Sequence, residues 1–366
     1  MKGLLGLVNL YEDETGMEPL TRRRPLAAVP FAGRYRLIDF ALSNLVNAGC
    51  RTVGVLVRDK YRSLIDHLRS GKEWDLARKR DGLYILPPGY VANGQCQSDV
   101  ENFRFNLDYI YNASEDFVVI CGSRTVCNLP LEQAFQYHLA MGADVTIIGR
   151  ERPDDECRHC LSTDEAGRVT GVCGLAEPGP DDVQPLGFYI LSKSLMAELV
   201  RDCAVRGGCD FFVDGVLHHK DRLKIQVFRH NGYAARIDSV TGYFQSQLEL
   251  LHPPVWQELF FRYGSIFTKV KDEAPAKYRE QACVRNSLVA NGCIVEGAVE
   301  NSILFRSVIV EKGAVVQNSI LIQNTRIGAN ARLNNVLCDK DSQVAAGRCL
   351  NGSVAAPFVV EKGIVI

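Results

Sequence analysis

The chain has 366 residues, 46% of them hydrophobic and 23% charged, with a formal net charge of −1. These values are typical of a soluble globular protein with two domains, and they give no bulk basic field that would favour nucleic acid or a membrane surface as a partner. No apolar run reaches the roughly 18 residues of a membrane span, and Glu12 interrupts the short N-terminal apolar run, so we expect a cytoplasmic protein.

The N-terminal part of the chain alternates between strand and helix patterns. Residues 3–9 form a short apolar run that predicts a buried first strand. The turn that follows, residues 11–17, carries Glu12, Asp13 and Glu14 and one glycine. A phosphate-binding loop needs several glycines and a cation, so this loop is expected to repel a triphosphate.

Residues 19–57 contain an arginine-rich loop, a turn, a helix and a strand. The apolar face of the helix is formed by residues at helical spacing, namely Leu37, Ile38, Ala41, Leu42, Leu45 and Val46. Gly49 supplies the helix stop, and residues 52–57 form a β-branched strand. A strand, a helix and a strand joined by short connections indicate a parallel sheet.

Further elements continue the same alternation. The pattern predicts strands at residues 117–121, 144–149, 186–191 and 224–228. It predicts helices at residues 61–68, 131–141, 194–201 and 242–251. His252-Pro253-Pro254 then ends the alternation.

The C-terminal region has a different texture. Asn-Ser-aliphatic triplets recur at residues 286, 301 and 318, and aliphatic residues return about every six positions. This period is typical of a hexapeptide parallel β-helix, whereas an antiparallel β-sandwich would show alternation with turns every 8–12 residues. We therefore predict an α/β domain over residues 1–255, a linker over residues 256–282, and a β-helix over residues 283–366.

Thirteen cysteines are scattered without a repeating spacing, which predicts reduced thiols in a chain without a secretion signal. Cys157 and Cys160 form a CxxC sequence. A structural zinc site would normally require a second ligand pair, and none stands out. A surface loop with free thiols is therefore favoured over a metal site.

Residues 19–44 read PLTRRRPLAAVPFAGRYRLIDFALSN. This run resembles bacterial glucose-1-phosphate adenylyltransferase, and the similarity continues through residues 63–68, 143–146 and 187–189. The resemblance implies a nucleotidyltransferase domain with a Rossmann-like, mostly parallel sheet, followed by a left-handed parallel β-helix. It also implies the reaction of ATP with glucose 1-phosphate to give ADP-glucose and pyrophosphate, with Mg²⁺ as the family's metal ion.

The charged parts of the family pattern are missing. The glycine-rich phosphate loop before Pro19 is absent, and the family's lysine falls on Leu26. The nucleotide loop falls on residues 98–102, the metal-binding Gly-Asp pair on Gly122-Ser123, and the sugar-phosphate lysine on Glu177. Removing one charged transition-state contact costs about 10²–10³ in rate, so several losses predict an inactive chain with no bound cofactor of its own.

This combination resembles the D-type subunit of the family. The resemblance implies a regulatory subunit of glycogen biosynthesis that assembles with a catalytic paralogue, as a tetramer. Two alternatives stay open: an active nucleotide-sugar pyrophosphorylase that uses other residues, and a stand-alone ligand sensor.

The resemblance also implies a binding site for an anionic effector such as a sugar phosphate. The candidate residues are five arginines within residues 19–44, namely Arg22, Arg23, Arg24, Arg34 and Arg36. Arginine suits bidentate phosphate contact. The alternative is a solvated loop, or arginines paired with the acids of residues 12–14.

Other polar residues have structural interpretations that are favoured over catalytic ones. Asp39 is expected to order the start of its helix or to pair with an arginine. Asp238 lies near the family's second metal carboxylate, but the local alignment slips by two residues. The histidines in helical patterns are expected to pack or lie at the surface, namely His67, His138, His218 and His219.

Overall fold

The computed structural model describes residues 3–91, 94–95, 98–151, 159–173, 179 and 182–366. Its described part contains eight α-helices. They are α1 (Leu37–Asn47), α2 (Arg62–Leu68), α3 (Asp99–Phe105), α4 (Leu107–Asn112), α5 (Leu131–Met141), α6 (Lys193–Arg206), α7 (Val240–Glu249) and α8 (Pro253–Phe261). No helix in these ranges is long and apolar enough to cross a membrane.

The strands of the N-terminal domain are short, and most of them belong to one sheet. They are β1 (Leu4–Asn9), β2 (Pro30–Phe31), β3 (Tyr35–Arg36), β4 (Thr52–Leu56), β5 (Gly82–Leu86), β6 (Tyr90–Val91), β7 (Gly94–Gln95), β8 (Phe117–Cys121), β9 (Thr125–Cys127), β10 (Val145–Glu151), β11 (Cys160–Thr163), β12 (Val169–Cys173), β13 (Val183–Ser192), β14 (Ile225–Arg229) and β15 (Ala234–Arg236).

The central sheet has the order β12-β11-β13-β8-β1-β4-β5, and in addition β10 pairs with β13 and β14 pairs with β10. Strands β8, β1, β4 and β5 run parallel, and β13 runs antiparallel to β8. Apolar residues cover both faces of the parallel part, as expected for strands buried between helices. This arrangement places the carboxyl ends of β1 and β8 side by side.

The predicted helix after the arginine-rich loop is α1. Asp39 Oδ2 accepts a hydrogen bond from the Arg36 N–H at 3.0 Å, which orders the first turn, as the sequence predicts. Ala48 caps the C-terminus, and Gly49 follows with φ = +82°, a conformation that glycine adopts without strain.

The C-terminal region is a parallel β-helix with five coils and three faces. The first face contains β16 (Lys277–Tyr278), β19 (Ile294–Val295), β22 (Ile309–Val310), β25 (Arg326–Ile327) and β28 (Gln343–Val344). The second contains β17 (Cys283–Arg285), β20 (Ala298–Glu300), β23 (Val315–Gln317), β26 (Arg332–Asn334) and β29 (Cys349–Asn351). The third contains β18 (Leu288–Val289), β21 (Ile303–Leu304), β24 (Ile320–Leu321), β27 (Val336–Cys338) and β30 (Phe358–Val360).

The repeated Asn-Ser pairs form one corner of this solenoid. The asparagines take left-handed backbone angles, with φ = +45° at Asn301 and +46° at Asn318. The Ser319 N–H donates to Ser302 Oγ in the previous coil at 3.0 Å. Asparagine tolerates this conformation better than most residues. The serine hydroxyl accepts a hydrogen bond from a backbone N–H that has no backbone partner in the turn. The repeat read from the sequence therefore has a direct geometric cause.

The β-helix packs against the N-terminal domain through an apolar core. Phe31 and Phe40 of the arginine-rich stretch and Tyr243 of α7 share this core with Ile303 and Ile320 of the solenoid. The first solenoid strand, β16, lies inside the stretch assigned to the linker, and α8 spans the predicted end of the first domain. The Pro253-Pro254 pair begins a helix, because proline is tolerated in a first helical turn.

The prediction of an α/β domain followed by a left-handed hexapeptide β-helix is confirmed. The expectation about thiols needs one correction. Cys160 is disulfide-bonded, while Cys157 lies outside the described residues. Ten other described cysteines are free thiols, and several of them are buried.

Candidate functional site

The carboxyl ends of β1 and β8 lie side by side, and we call the region in front of them the cleft. In open sheets with parallel strands, ligands bind at this edge. Three segments meet here: the acidic loop after β1, the turn Gly122-Ser123-Arg124 after β8, and the segment that ends at Asp238 after β15. We call the charged residues that they bring together, Glu12, Arg124, Arg236 and Asp238, the cleft network.

Glu12 points into the cleft rather than into solvent. Its Oε1 accepts hydrogen bonds from the backbone N–H groups of Ser123 at 3.1 Å and Arg124 at 3.0 Å, and its Oε2 accepts one from Ser123 Oγ at 2.5 Å. A Cβ at Gly122 would lie 2.3 Å from Glu12 Oε1, so a side chain there would displace the Glu12 carboxylate from this position. Burial raises the pKa of Glu12, and Arg124 and the Ser123 hydrogen bonds oppose this shift.

Arg124 joins the three segments. Its Nη1 lies 2.5 Å from Asp238 Oδ1, its Nη2 donates to the Asp13 carbonyl oxygen at 2.5 Å, and its Nε is 3.9 Å from Glu12 Oε1. The side chain is only 14% exposed. Arg236 Nε also pairs with Asp238. The two carboxylates and two guanidinium groups of the cleft network therefore neutralise one another.

This geometry does not fit the magnesium ion that the family implies. Ser123 stands at the position of the metal-binding aspartate, and a neutral hydroxyl is a weaker ligand for Mg²⁺ than a carboxylate. The Arg124 guanidinium lies between Glu12 and Asp238, where it would repel a divalent cation. Across the described ranges, no group of three or more His, Cys, Asp or Glu residues has the geometry of a metal site.

The arginines of residues 19–44, which we call the arginine-rich stretch, differ in whether they form ion pairs with the β-helix. Arg24 is buried and pairs with Asp339 of the β-helix, and its Nε donates to the Leu20 carbonyl oxygen at 2.8 Å. Arg22 Nη1 lies 2.5 Å from Glu361 in the last coil. These two arginines contact the solenoid rather than the acids of residues 12–14. Arg23 is exposed.

Arg34 and Arg36 line a second site, a pocket of about 80 Å³ between the two domains. We call it the interdomain pocket. Its cationic residues come from the arginine-rich stretch, from the segment after α8 and from the solenoid, namely Arg34, Arg36, Lys269, Lys271, Arg306 and Lys340. Tyr35, His67 and Gln323 complete the polar lining, and no carboxylate of the described residues lines it.

Burial, and secondly the positive charges around them, lowers the pKa values of several cations of the interdomain pocket. Burial, followed by the charges of Arg36 and Arg24, lowers the pKa of Lys340 to about 7. Burial lowers the pKa of Arg36 to about 10, although Asp39 opposes the shift. Burial also lowers the pKa of Arg306. An anion in this pocket would relieve the repulsion, so the arrangement favours a small ligand with several negative charges.

Comparisons with known proteins identify the family to which these two domains belong. A nucleotidyl transferase family model matches residues 15–201, and a GlmU-like C-terminal hexapeptide model matches residues 272–355. The glycogen biosynthesis protein GlgD of Bacillus subtilis (strain 168) is 40% identical over 363 residues, covering 99% of this chain and 96% of the relative. The glucose-1-phosphate adenylyltransferase of Pseudothermotoga lettingae is 33% identical over 323 residues, covering 86% of this chain and 77% of the relative.

The chain belongs to the glucose-1-phosphate adenylyltransferase family. Its high similarity to a second GlgD protein, from Geobacillus stearothermophilus, places it in the D-type branch: the two are 41% identical over 364 residues, covering 99% of this chain and 97% of the relative. The resemblance seen in residues 19–44 is thereby confirmed.

The structure gives local reasons for several departures from the family pattern. Leu26, at the lysine position, is buried in the interdomain core, and its N–H donates to Glu14 Oε1 at 2.5 Å. Ser98, in the nucleotide-loop segment, caps α3 by accepting a hydrogen bond from the Glu101 N–H at 3.1 Å. Glu177 lies outside the described residues.

The remaining candidates have structural partners. His67 Nε2 lies 2.6 Å from Asp39 Oδ1, and His138 Nδ1 lies 2.9 Å from Thr146 Oγ1. His219 contacts Asp202 and stacks edge-on with His218. Their structural interpretation therefore agrees with the contacts.

Sequence reasoning missed Arg124 and the basic residues that complete the interdomain pocket. Arg124 follows Gly122-Ser123 directly, so the adjacent charge was a signal that could have been read. Lys269 and Lys271 stand close together after α8, but Arg306 and Lys340 lie on separate coils. Only the fold brings these four residues together.

Proposed function

We propose that this chain works in glycogen biosynthesis as a catalytically silent, regulatory subunit of glucose-1-phosphate adenylyltransferase. It would assemble with a catalytic paralogue in a tetramer. One observation carries the proposal: where the family's metal ion and triphosphate would bind, the charged groups of the cleft network are paired with one another. Nucleotidyl transfer depends on cations placed against phosphate oxygens, and in this cleft the Arg124 guanidinium is already engaged by carboxylates.

The acidic loop after β1 adds a second reason. Glu12 accepts hydrogen bonds from the backbone N–H groups of Ser123 and Arg124, and such groups would otherwise be free to bind an anionic ligand. Its carboxylate thus takes a position suited to a phosphate oxygen. A nucleotide would have to displace this bonded carboxylate as well as the guanidinium contacts.

We propose that the interdomain pocket binds the effector. This refines the prediction made from the arginine-rich stretch. Arg34 and Arg36 line the pocket, whereas Arg22 and Arg24 pair with the solenoid. Arg23 is exposed and lies outside the lining. The pocket touches both domains, so a bound sugar phosphate would alter how they pack.

The activity assay uses the purified full chain with ATP, Mg²⁺ and glucose 1-phosphate, and measures ADP-glucose and pyrophosphate. We expect no turnover above background. The catalytic paralogue, assayed alone under identical conditions, is the positive control. Turnover by this chain at about 1 s⁻¹ or faster would overturn the proposal in favour of an active pyrophosphorylase with other catalytic residues.

The partnership is tested by co-expression with a catalytic paralogue, followed by light scattering of the purified complex. We expect one species with the mass of a tetramer, whose effector response differs from that of the paralogue alone. Failure of the two chains to co-purify would instead favour a stand-alone ligand sensor. The variant Arg306→Ala should assemble normally and lose the altered response, because it changes the pocket alone.

A further inference from the structure

The cleft network poses a question that catalytic silence does not answer. A chain can lose activity by losing one ligand, with the rest of the site left to solvent. Here the cleft instead contains a cation supplied by the chain itself. Arg124 lies at the centre of this arrangement, with Glu12 and Asp238 on two sides of its guanidinium group and the Asp13 carbonyl oxygen on a third.

We infer that the Arg124 guanidinium takes the place of a divalent cation in this cleft and holds its three segments together without metal. The inference rests on the proposed function in one respect, since it presumes that the cleft performs no metal-dependent chemistry. It goes further by assigning Arg124 a positive structural task. The task is to supply charge to Glu12 and Asp238, which would repel each other in an empty cleft.

The charges support this assignment. With both carboxyl groups ionised, Glu12 and Asp238 supply two negative charges and Arg124 and Arg236 two positive ones, so the four side chains of the cleft network are then neutral together. A divalent cation added to it would find no carboxylate charge that is unmatched. Without Arg124, the carboxylates of Glu12 and Asp238 would face the space that its guanidinium group occupied. Arg236 alone would then balance their negative charge.

The oxygen atoms around Arg124 support it independently of charge. The guanidinium contacts Asp238 Oδ1 and the Asp13 carbonyl oxygen, and Glu12 Oε1 is 3.9 Å from its Nε. Carboxylate and carbonyl oxygens are the donors that hard divalent cations prefer. Planar guanidinium can satisfy several such acceptors at once, whereas lysine presents a single compact charge.

The close approach of the backbone completes the argument. Gly16 allows the acidic loop to reach the segment that contains Asp238, because a Cβ there would lie 2.1 Å from the Asp238 carbonyl oxygen. The Ile237 N–H donates to the Arg124 carbonyl oxygen at 2.9 Å, which fixes the third segment beside the turn after β8. Gly16 and Gly122 thus allow the three segments to approach one another closely, and Arg124 neutralises the carboxylates that this approach brings together.

The experiment compares Mn²⁺ binding to the wild-type chain and to Arg124→Ala, measured by electron paramagnetic resonance without nucleotide or partner. We expect the wild type to show only weak surface binding. Arg124→Ala should gain about one site per chain, at least tenfold tighter, since two carboxylates then face an open space. The double variant Arg124→Ala/Asp238→Asn should lose that site.

Two further variants control for charge and for folding. Arg229→Ala removes an arginine from a surface pair with Glu151 and should not change Mn²⁺ binding. Arg124→Gln keeps a polar side chain and the backbone donors to Glu12, so it replaces the alanine variant if that variant does not fold. Circular dichroism establishes folding in each case.

The inference would be overturned if the folded charge-removal variant bound no more Mn²⁺ than the wild type. It would also be overturned if the wild type itself held one tight Mn²⁺ ion per chain, because the guanidinium would then not replace the metal. Neither result depends on ADP-glucose formation, so failure here is distinguishable from failure of the proposed function. Thermal unfolding with Mn²⁺ or EDTA gives a second readout, in which only the charge-removal variant should respond to the metal.

Discussion

The cleft network and the interdomain pocket both contain arginines, but the arginines pair with carboxylates in the first and lie among other cations in the second. In the cleft, Arg124 and Arg236 contact carboxylates, so no charge is left over for a ligand. In the interdomain pocket, six cations line a small space without any carboxylate of the described residues among them. The charges of the cleft network are thus matched within it, whereas the cations that line the pocket face no carboxylate in its lining.

This contrast shows that an arginine's neighbours, rather than its presence in a motif, decide whether it can bind a ligand. Arg24 and Arg36 lie in the same run and differ in their use. Arg24 is buried against Asp339 and joins the domains, whereas Arg36 donates to the Ser63 carbonyl oxygen at 2.6 Å and still faces the pocket. Three predictions test whether the arginines that join the domains and the cations that line the pocket have separate roles.

The largest effect is expected for Arg24→Ala. Breaking a buried ion pair leaves Asp339 uncompensated, which costs about 3–5 kcal/mol in the free energy of unfolding. Urea unfolding of the chain followed by circular dichroism measures the loss. Exposed Arg23 is the matched control, and Arg23→Ala should change stability by less than about 0.5 kcal/mol. Equal stability of the two variants would mean that Arg24 does not join the domains.

A double variant sharpens this test. Arg24→Met with Asp339→Asn removes both charges while preserving an acceptor for the Lys340 N–H, which now bonds to Asp339 Oδ1 at 2.7 Å. Replacing both partners of a buried pair is much less costly than removing one. Most of the stability lost in Arg24→Ala should therefore return.

The second effect is on ligand affinity. Arg306→Ala should weaken sulfate binding to the interdomain pocket by about tenfold or more, because a hydrogen bond to a charged group contributes about 1.5–3 kcal/mol. Isothermal titration calorimetry of the full chain measures it. Arg332→Ala removes an exposed solenoid arginine outside the pocket and should leave the affinity unchanged. A similar loss in both variants would point to a general charge effect instead of a site.

The smallest effect is the pH dependence of the same binding. The pKa of Lys340 is lowered to about 7, so its amine loses a proton as the pH rises through neutrality. Sulfate remains a dianion and favours the ammonium form, so its affinity should fall between pH 6 and 8, by at most about tenfold per pH unit. Lys340→Met should bind sulfate more weakly with a flatter profile. An unchanged slope in that variant would exclude Lys340 as the titrating group.

Much of the fold follows from local patterns. The six-residue aliphatic period predicts the solenoid, and the Asn-Ser repeat marks one of its corners, where a left-handed asparagine precedes a serine hydroxyl that accepts a hydrogen bond. The bounds of β8 and α5 agree with their apolar periodicities. Helix α8 was not predicted, because a proline pair breaks a helix in its interior and also starts one at its first turn.

The sites were harder to predict than the fold. Loss of the catalytic charges at Leu26 and Ser123 could be read by comparison with a motif. The replacement of those charges by Arg124 could not, since Glu12, Arg124 and Asp238 are separated by more than a hundred residues from one to the next. The partners of Arg22 and Arg24 lie more than three hundred residues away on the solenoid. Long-range ion pairs leave no periodic trace in a sequence.

The contacts of the arginine-rich loop also make the two ends of the β-helix unequal in local stability. The coils of a repeat stack contact mainly their neighbours, so the end coils, which have a neighbour on one side only, open most easily unless another contact holds them. Arg24 binds Asp339 in the fourth coil and Arg22 binds Glu361 at the end of the fifth, while strand β16 of the first coil is exposed. Local unfolding of the solenoid should therefore begin at its first coil and proceed toward the fifth. The ion pairs of Arg22 and Arg24 stabilise the last two coils against such unfolding.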